Sequence, residues 1–77
     1  MNYFKTDLKD KKVRVRVLDI NLSFEGVVEH VTHFYMYLTN CKLEDVKDCI
    51  LENRYFFKIN DNEIILNSDG KYELEII

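Results

Sequence analysis

The chain has 77 residues and a mass of 9.3 kDa, which leave room for one small domain and little room for a metabolite-binding cleft. Apolar residues make up 47% of the chain and aromatic residues 13%, too many core formers for a disordered segment. No apolar run approaches the roughly 20 residues of a membrane span, and residues 1–5 lack the apolar stretch of a secretory signal. We therefore expect a single domain over residues 1–77, with no membrane association and no small-molecule substrate.

Charge is unevenly distributed along the chain. The formal net charge is −3, which argues against a general polyanion binder, yet residues 1–17 sum to +4 and residues 18–77 to −7. The basic start could follow a phosphate backbone, or it could be a solvated face. Arg14 and Arg16 could instead pair with Glu25 and Glu29 across a sheet. The basic side chains are Lys5, Lys9, Lys11, Lys12, Arg14 and Arg16.

The N-terminal segment carries a short helical signal. Phe4 and Leu8 stand four residues apart and would share one helix face, which predicts a short helix over about residues 3–10. A tighter turn starting at Thr6 is the alternative.

Residues 13–17 alternate valine with arginine, the pattern of a half-buried strand with the valines inward. Residues 19–21 then read as a turn, because Asn21 tolerates the left-handed backbone conformation better than most residues. Residues 22–32 form a second strand in which the alternation slips after Gly26. A glycine at such a slip predicts a bulge or sharp bend, the corner that a small barrel needs.

Four further strands follow from alternation between turn signals, and they are expected over residues 35–41, 50–59, 63–67 and 71–77. Asn60-Asp61-Asn62 is a strong turn signal between two of them. The predicted fold is mainly β: a short N-terminal helix, then a strongly bent antiparallel sheet of five or six strands, or a small barrel.

This order of elements resembles the Sm/Sm-like family of small bent barrels. The family's first motif is an alternating valine strand, a glycine turn and a second glycine in the bent strand. Here it corresponds to residues 13–18, with Asn21 in place of the first glycine and Glu25-Gly26 at the second. Residues 31–35 fall at the family's Asp-x-x-Met-Asn loop, with Thr32 at the aspartate. The resemblance covers about 60 residues and implies a small barrel of the Sm or SH3-like kind.

The family's second motif, a strand followed by Arg-Gly and a last apolar strand, would fall on residues 57–62 and 64–66, with Asn60 and Asp61 in place of Arg-Gly. The resemblance implies contacts to an unpaired nucleotide from two loops. Stacking on an aromatic side chain contributes about 1–3 kcal/mol per base. The alternative is that Phe34 and Tyr35 are core and subunit-contact residues. The candidate RNA-binding residues are His33, Phe34 and Tyr35 on one loop and Lys58, Asn60 and Asn62 on the other.

Assembly is the second implication of the resemblance. In the family the fourth strand of one subunit joins the fifth strand of the next, and six or seven copies close a ring. An aromatic-rich fourth strand and an apolar fifth strand favour such an interface, and a dimer stays open as an alternative. Residues 71–77 would cover the pairing edge if they formed a hairpin with residues 63–67. The candidate interface residues are Tyr55, Phe56, Phe57, Ile64, Ile65 and Leu66.

Reactive side chains are few. Cys41 and Cys49, without an export signal, favour a reducing intracellular compartment, the cytoplasm or the nucleus. His30 and His33 could join them as metal ligands only if all converged, so we expect no metal site and no cofactor, and a packed thiol at Cys41. Nothing places a third group beside a Cys–His pair, so we expect no enzyme.

Two functional hypotheses follow. The first is an Sm-like protein that forms a homo-oligomeric ring and binds short single-stranded, U-rich RNA. The second is an Sm-fold assembly or scaffold subunit that uses its pairing edge for other proteins and binds no RNA.

Overall fold

The computed structural model describes residues 3–44, 46 and 55–77. Those residues form one short 3-10 helix, Thr6–Leu8, and six strands, so the mainly β prediction is confirmed. The strands are β1 Lys12–Val17, β2 Leu22–Val31, β3 Tyr35–Thr39, β4 Phe56–Asn60, β5 Glu63–Asn67 and β6 Tyr72–Ile76. The predicted fourth strand over residues 50–59 begins outside the described residues, and β4 covers its second part.

The N-terminal segment makes a tight turn rather than the expected helix over residues 3–10. Its backbone bonds span three residues, from Leu8 N–H to the Lys5 carbonyl at 3.3 Å and from Lys9 N–H to the Thr6 carbonyl at 3.5 Å. Asp10 follows with φ 68°, a conformation that stops a right-handed helix. Leu8 is nevertheless buried, as the four-residue spacing predicted. Within the described part of the chain, no helix is long and apolar enough to traverse a bilayer.

The first hairpin follows the sequence pattern closely. In β1 the valines at 13, 15 and 17 are buried and the residues between them are exposed. Asn21 has φ 53°, the left-handed conformation expected at this turn. Pairing of β1 with β2 is antiparallel and unbroken from Lys12 opposite Val27 to Val17 opposite Leu22.

The bulge in β2 lies C-terminal to the predicted position at Gly26. Gly26 keeps the inward alternation between Phe24 and Val28, and the register shift falls between Val28 and His30, where β2 pairs with β3. Gly26 serves another purpose, since a Cβ there would lie 2.6 Å from Cys41 Sγ and 3.1 Å from the Thr39 carbonyl oxygen. The glycine lets the chain after β3 pack directly against β2.

The strands form one antiparallel sheet in the order β4-β5-β3-β2-β1-β6. The last strand therefore pairs with β1, with Val15 opposite Leu74, and does not fold back on β5. β5 lies between β3 and β4 and is paired on both sides. The hairpin alternative for residues 71–77 is wrong for this reason.

The sheet is open and does not close into the small barrel that the resemblance implies. Its edge strands, β4 and β6, do not pair with each other in the described residues. One cluster of buried side chains nevertheless collects the inner faces of β1 to β5, so the sheet curves around it. Phe4, Leu8, Cys41 and Leu43 complete the cluster from outside the strands, and β6 adds the partly buried Tyr72 and Leu74.

Candidate binding surfaces

The six predicted RNA-binding residues do not form one site. Tyr35 begins β3 and pairs with Asn67, whereas the turn after β4 adjoins the other end of β3, where Cys41 N–H donates to the Asn62 carbonyl at 2.9 Å. The length of β3 separates the two groups by roughly 13 Å or more, at about 3.3 Å per residue. One nucleotide cannot contact both groups in the way that the resemblance implies.

Two residues of the first group, His33 and Phe34, join Tyr3 in an aromatic cluster, which we call the aromatic end. Phe34 is 62% exposed and Tyr3 58%. The Tyr3 ring stands edge-on to Phe34, with centroids 5.7 Å apart, and to His33 at 6.2 Å. The three side chains line a shallow, largely apolar pocket of about 300 Å³. Tyr3 carried no sequence signal, because its place depends on a backbone contact between distant segments.

That backbone contact fixes the aromatic end. Phe4 N–H donates to the His33 carbonyl at 3.1 Å, and His33 Nδ1 lies 3.2 Å from the Phe4 carbonyl oxygen. Thr32 Oγ1 accepts hydrogen bonds from the N–H groups of Phe34 and Tyr35, at 3.1 and 3.2 Å. These hydrogen bonds tie down the loop backbone, and the exposed Phe34 ring faces outward, a suitable arrangement for stacking.

Tyr35 lies on the outer face of the sheet. It is exposed, and its ring centroid is 5.7 Å from that of His30. Phe34 is also exposed, so the core alternative for these two residues is wrong.

The second group of predicted RNA-binding residues makes hydrogen bonds and an ion pair within the β4–β5 turn. Lys58 Nζ pairs with Asp61 Oδ1 at 3.1 Å. Asn60 Nδ2 donates to Glu63 Oε1 at 2.6 Å, while Asn60 Oδ1 accepts from Asn62 N–H at 2.8 Å. These bonds stabilise the β4–β5 turn, and its two carboxylates repel a phosphate.

The basic start is partly neutralised. Arg14 lies between two carboxylates, with Nη2 3.0 Å from Glu25 Oε2 and Nη1 3.3 Å from Glu75 Oε2. The hydrogen bond and charge of Glu25, followed by those of Glu75, raise the pKa of Arg14. The predicted pairing of Arg14 with Glu25 is confirmed, whereas Arg16 lies opposite Ser23 and Glu73 instead of Glu29. A second pair, Lys9 with Asp10 at 3.3 Å, also lies in this segment.

The predicted interface residues divide between the core and an edge. Phe56, Ile64 and Leu66 are buried in the core, and Tyr55 and Ile65 are partly buried. Because β5 is paired on both sides, it offers no edge to a neighbouring subunit. Phe57 on β4 is 55% exposed and Ile59 51%. The edges of the sheet are therefore β4 and β6.

Tyr72 connects the two edge strands at one end of the sheet. Its hydroxyl oxygen lies 2.9 Å from the carbonyl oxygens of both Tyr55 and Asn67. Burial raises the pKa of the phenol well above its usual range. The alternation of β6 predicted an inward Tyr72, but no local pattern indicated what its hydroxyl would contact.

The cysteine and histidine side chains in the described part of the chain, Cys41, His30 and His33, do not converge. Cys41 is buried, with Sγ 3.7 Å from the Thr39 carbonyl oxygen, and burial raises the pKa of its thiol to about 11. The packed thiol predicted at Cys41 is confirmed, whereas His30 is exposed on the outer face and Cys49 lies outside the described residues. The residues that the structure describes hold no group of three or more His, Cys, Asp or Glu side chains arranged to bind a metal ion.

Comparisons with models of protein families, with curated proteins and with solved structures found no match to this chain.

Proposed function

We propose that this protein is a non-enzymatic assembly subunit that associates with a second copy through the edge strand β4. The observation that supports this most directly is the exposure of Phe57 and Ile59, two large apolar side chains on one edge strand. Long apolar edge strands pair readily with other chains unless charge or a covering element prevents it. Kinship with Sm-like proteins stays part of this proposal, supported by the β1-β2-β3 order and by a last strand that pairs with β1.

The directions of the strands permit two forms of assembly. Because the sheet has six strands and every neighbouring pair is antiparallel, β4 and β6 run in opposite directions. Placing β6 of the next copy beside β4 therefore continues the antiparallel sheet, and repetition of that step gives a ring or a filament. A two-fold axis beside β4 would instead pair β4 with itself and give a dimer.

Light scattering on the purified protein tests this proposal. We expect a particle heavier than one 9.3 kDa chain, and we expect Phe57→Lys to shift it toward the monomer, because a charge replaces an apolar contact. Phe34→Lys is the matched control, an equally exposed aromatic residue at the aromatic end. A wild-type monomer, or equal masses for Phe57→Lys and the wild type, would contradict association through β4.

A second candidate function is binding of single-stranded RNA at the aromatic end. The specific observation is that two exposed rings lie side by side: Phe34 on a loop whose backbone is hydrogen-bonded, and Tyr3 on the N-terminal segment that bonds to that loop. An unpaired base could stack there without help from the β4–β5 turn. The net charge of −3 and the carboxylates around Arg14 make such binding weaker than in a basic protein.

Fluorescence anisotropy with a labelled oligo-U at about 50 mM salt tests this second function. Phe34→Ala should weaken binding by about fivefold or more, the loss expected for one stacked base, and Phe57→Ala should leave affinity unchanged. No binding at micromolar protein would exclude it. A ring that binds oligo-U through Phe34 would support the first of the two sequence-based hypotheses.

A further inference from the structure

We propose that the outer edge of β6 receives an extended segment of another protein in which apolar residues alternate with basic residues. The segment would add a seventh strand to the sheet. Three features of β6 carry the proposal: the direction of its backbone groups, the charge on its outer face and a groove along its inner face.

The backbone of β6 presents alternate residues to the open edge. Leu18 N–H donates to the Lys71 carbonyl, and Ile77 N–H donates to the Lys12 carbonyl, both at 3.0 Å. In an antiparallel ladder the hydrogen-bonded pairs alternate, so residues 73 and 75 also face β1. The N–H and C=O groups of Leu74 and Ile76 therefore point away from β1, toward the open edge, where no strand of the described residues pairs with them.

The outer face of β6 is acidic. Glu73 and Glu75 are both exposed there. On the paired side of β6, the neighbouring strand β1 places arginine side chains beside these two carboxylates. Arg16 lies opposite Glu73, and Arg14 lies opposite Glu75 with an Nη1–Oε2 distance of 3.3 Å. A strand on the other side of β6 with basic residues on its outer face would repeat this arrangement.

The same carboxylates disfavour a second copy of β6. Two β6 strands related by a two-fold axis would bring four carboxylates together, and like charges opposite each other destabilise a strand pair. On β4 of a second copy, Phe57 lies opposite Ile65 and so shares the outer face of the sheet with it. A β4 strand placed beside β6 would therefore bring an apolar side chain, and no positive charge, to Glu73. The charge pattern therefore favours a strand with basic residues on its outer face, which neither β4 nor β6 of a second copy provides.

The inner face of β6 borders an apolar groove of about 330 Å³ between this strand and the N-terminal segment. Phe4, Leu8 and Leu74 contribute apolar walls. Lys5 and Asp7 also line the groove and carry opposite charges, so they leave no net charge there. Ile76, 59% exposed, borders its open side. An added strand would place its apolar side chains at this groove and its basic side chains beside the glutamates.

Binding of two labelled peptides to the full chain tests the proposal. The probe has the sequence of residues 12–18, acetylated and amidated at its ends, because this stretch combines the required alternation with two arginines. The comparison peptide carries glutamate at both arginine positions. We expect the arginine peptide to bind about tenfold more tightly, and Glu73→Lys to remove that preference. No binding of the arginine peptide, or equal binding of the two peptides, would overturn the proposal.

A backbone variant separates edge addition from displacement of β1 by the peptide. Ile76→Pro removes an N–H that points outward and leaves the β1–β6 hydrogen bonds in place, whereas Ile76→Val keeps the N–H. We expect the proline variant, with its fold confirmed by circular dichroism, to bind at least about fivefold more weakly than the valine variant. Equal binding would indicate displacement of β1 and overturn edge addition. If Ile76→Pro fails to fold, hydrogen exchange at the β1 amides of Arg14 and Arg16 decides, because edge addition keeps β1 paired with β6 and its amides protected, whereas displacement exposes them and would overturn the proposal.

The proposal is compatible with association of β4 with β4 about a two-fold axis, which leaves β6 open, and it excludes a ring in which β6 of one copy pairs with β4 of the next. Phe57→Lys should leave peptide affinity unchanged, even where it reduces the mass of the particle. Loss of peptide binding in that variant would place the peptide on β4 and overturn the assignment to β6.

Discussion

The hydroxyl group of Tyr72, on one edge strand, lies 2.9 Å from the carbonyl oxygen of Tyr55, the residue that precedes the other edge strand. The same hydroxyl is 2.9 Å from the Asn67 carbonyl oxygen, so its single proton is shared between two acceptors. The Tyr72 ring stacks on Phe4, with centroids 6.0 Å apart. The Tyr72 side chain therefore links the two edge strands of the open sheet, β6 and β4, at one end.

Removal of this hydroxyl should lower the stability of the fold by a modest amount. Tyr72→Phe keeps the ring stacked on Phe4 but leaves the two carbonyl oxygens without the phenol proton. We expect a loss of about 0.5–1.5 kcal/mol in the free energy of unfolding, measured by urea titration. Tyr3→Phe, at an exposed phenol, is the control and should stay within about 0.5 kcal/mol of the wild type. Equal stability of Tyr72→Phe and wild type would mean that the hydrogen bonds contribute nothing.

Stability should also fall in alkaline solution. Burial raises the pKa of Cys41 from 9.0 to about 11 and raises that of Tyr72 above its ordinary value of 10.0. Above these ordinary values the folded chain holds more protons than the unfolded chain, so unfolding becomes easier as pH rises. The loss should begin near pH 9 for the thiol and near pH 10 for the phenol.

Urea titrations across this alkaline range separate the two groups. Cys41→Ala should flatten the dependence between pH 9 and about 11, and Tyr72→Phe should flatten it above pH 10. If both variants keep the slope of the wild type, neither group is responsible.

Gly26→Ala should be destabilising because of crowding rather than backbone strain. The added methyl group would lie 2.6 Å from Cys41 Sγ and 3.1 Å from the Thr39 carbonyl oxygen, and we expect a cost of about 1–3 kcal/mol. In a Cys41→Ala background the sulfur atom is absent, so the same change should cost about 1 kcal/mol less. Strictly additive free energies in this double-mutant cycle would show that the two positions do not compete for space.

Asn21 tests the turn between β1 and β2. Its φ of 53° is costly for a β-branched residue, and Asn21→Val should therefore destabilise the fold by about 1–2 kcal/mol. Asn21→Gly should change stability by no more than about 0.5 kcal/mol, because glycine adopts this conformation without strain. Thermal unfolding of the pair gives the comparison, and a valine variant as stable as the glycine variant would rule out a left-handed residue at this position.

Local patterns predicted the elements of the fold well. The alternation of valine and arginine in β1 and the left-handed Asn21 depend on neighbouring residues alone, and both are present. The predicted position of the bulge was wrong. Glycine is needed at position 26 because Cys41, fifteen positions later in the sequence, packs directly against it. Alternation shows which side of a strand is buried, but it does not show what packs on that side.

The candidate site depended on pairing that no local pattern contains. His33 and Asn62 would belong to one site only if their loops met at one end of the sheet. The placement of β5 between β3 and β4 puts them at opposite ends of β3. Similarly, Tyr3 joined the aromatic end through a backbone hydrogen bond between Phe4 and His33, residues 29 positions apart. The sequence therefore indicated the aromatic loop but not that Tyr3 packs against it.

The contact between Arg14 and Glu75 joins residues 61 positions apart in the chain. A ribosome therefore completes β1 and its hairpin partner long before the strand that will lie on the other flank of β1. Until that strand emerges, the nascent chain carries a stretch of alternating valine and arginine with one flank vacant. Contacts so distant in sequence slow folding, and the sheet cannot be completed until residues 72–76 have left the ribosome.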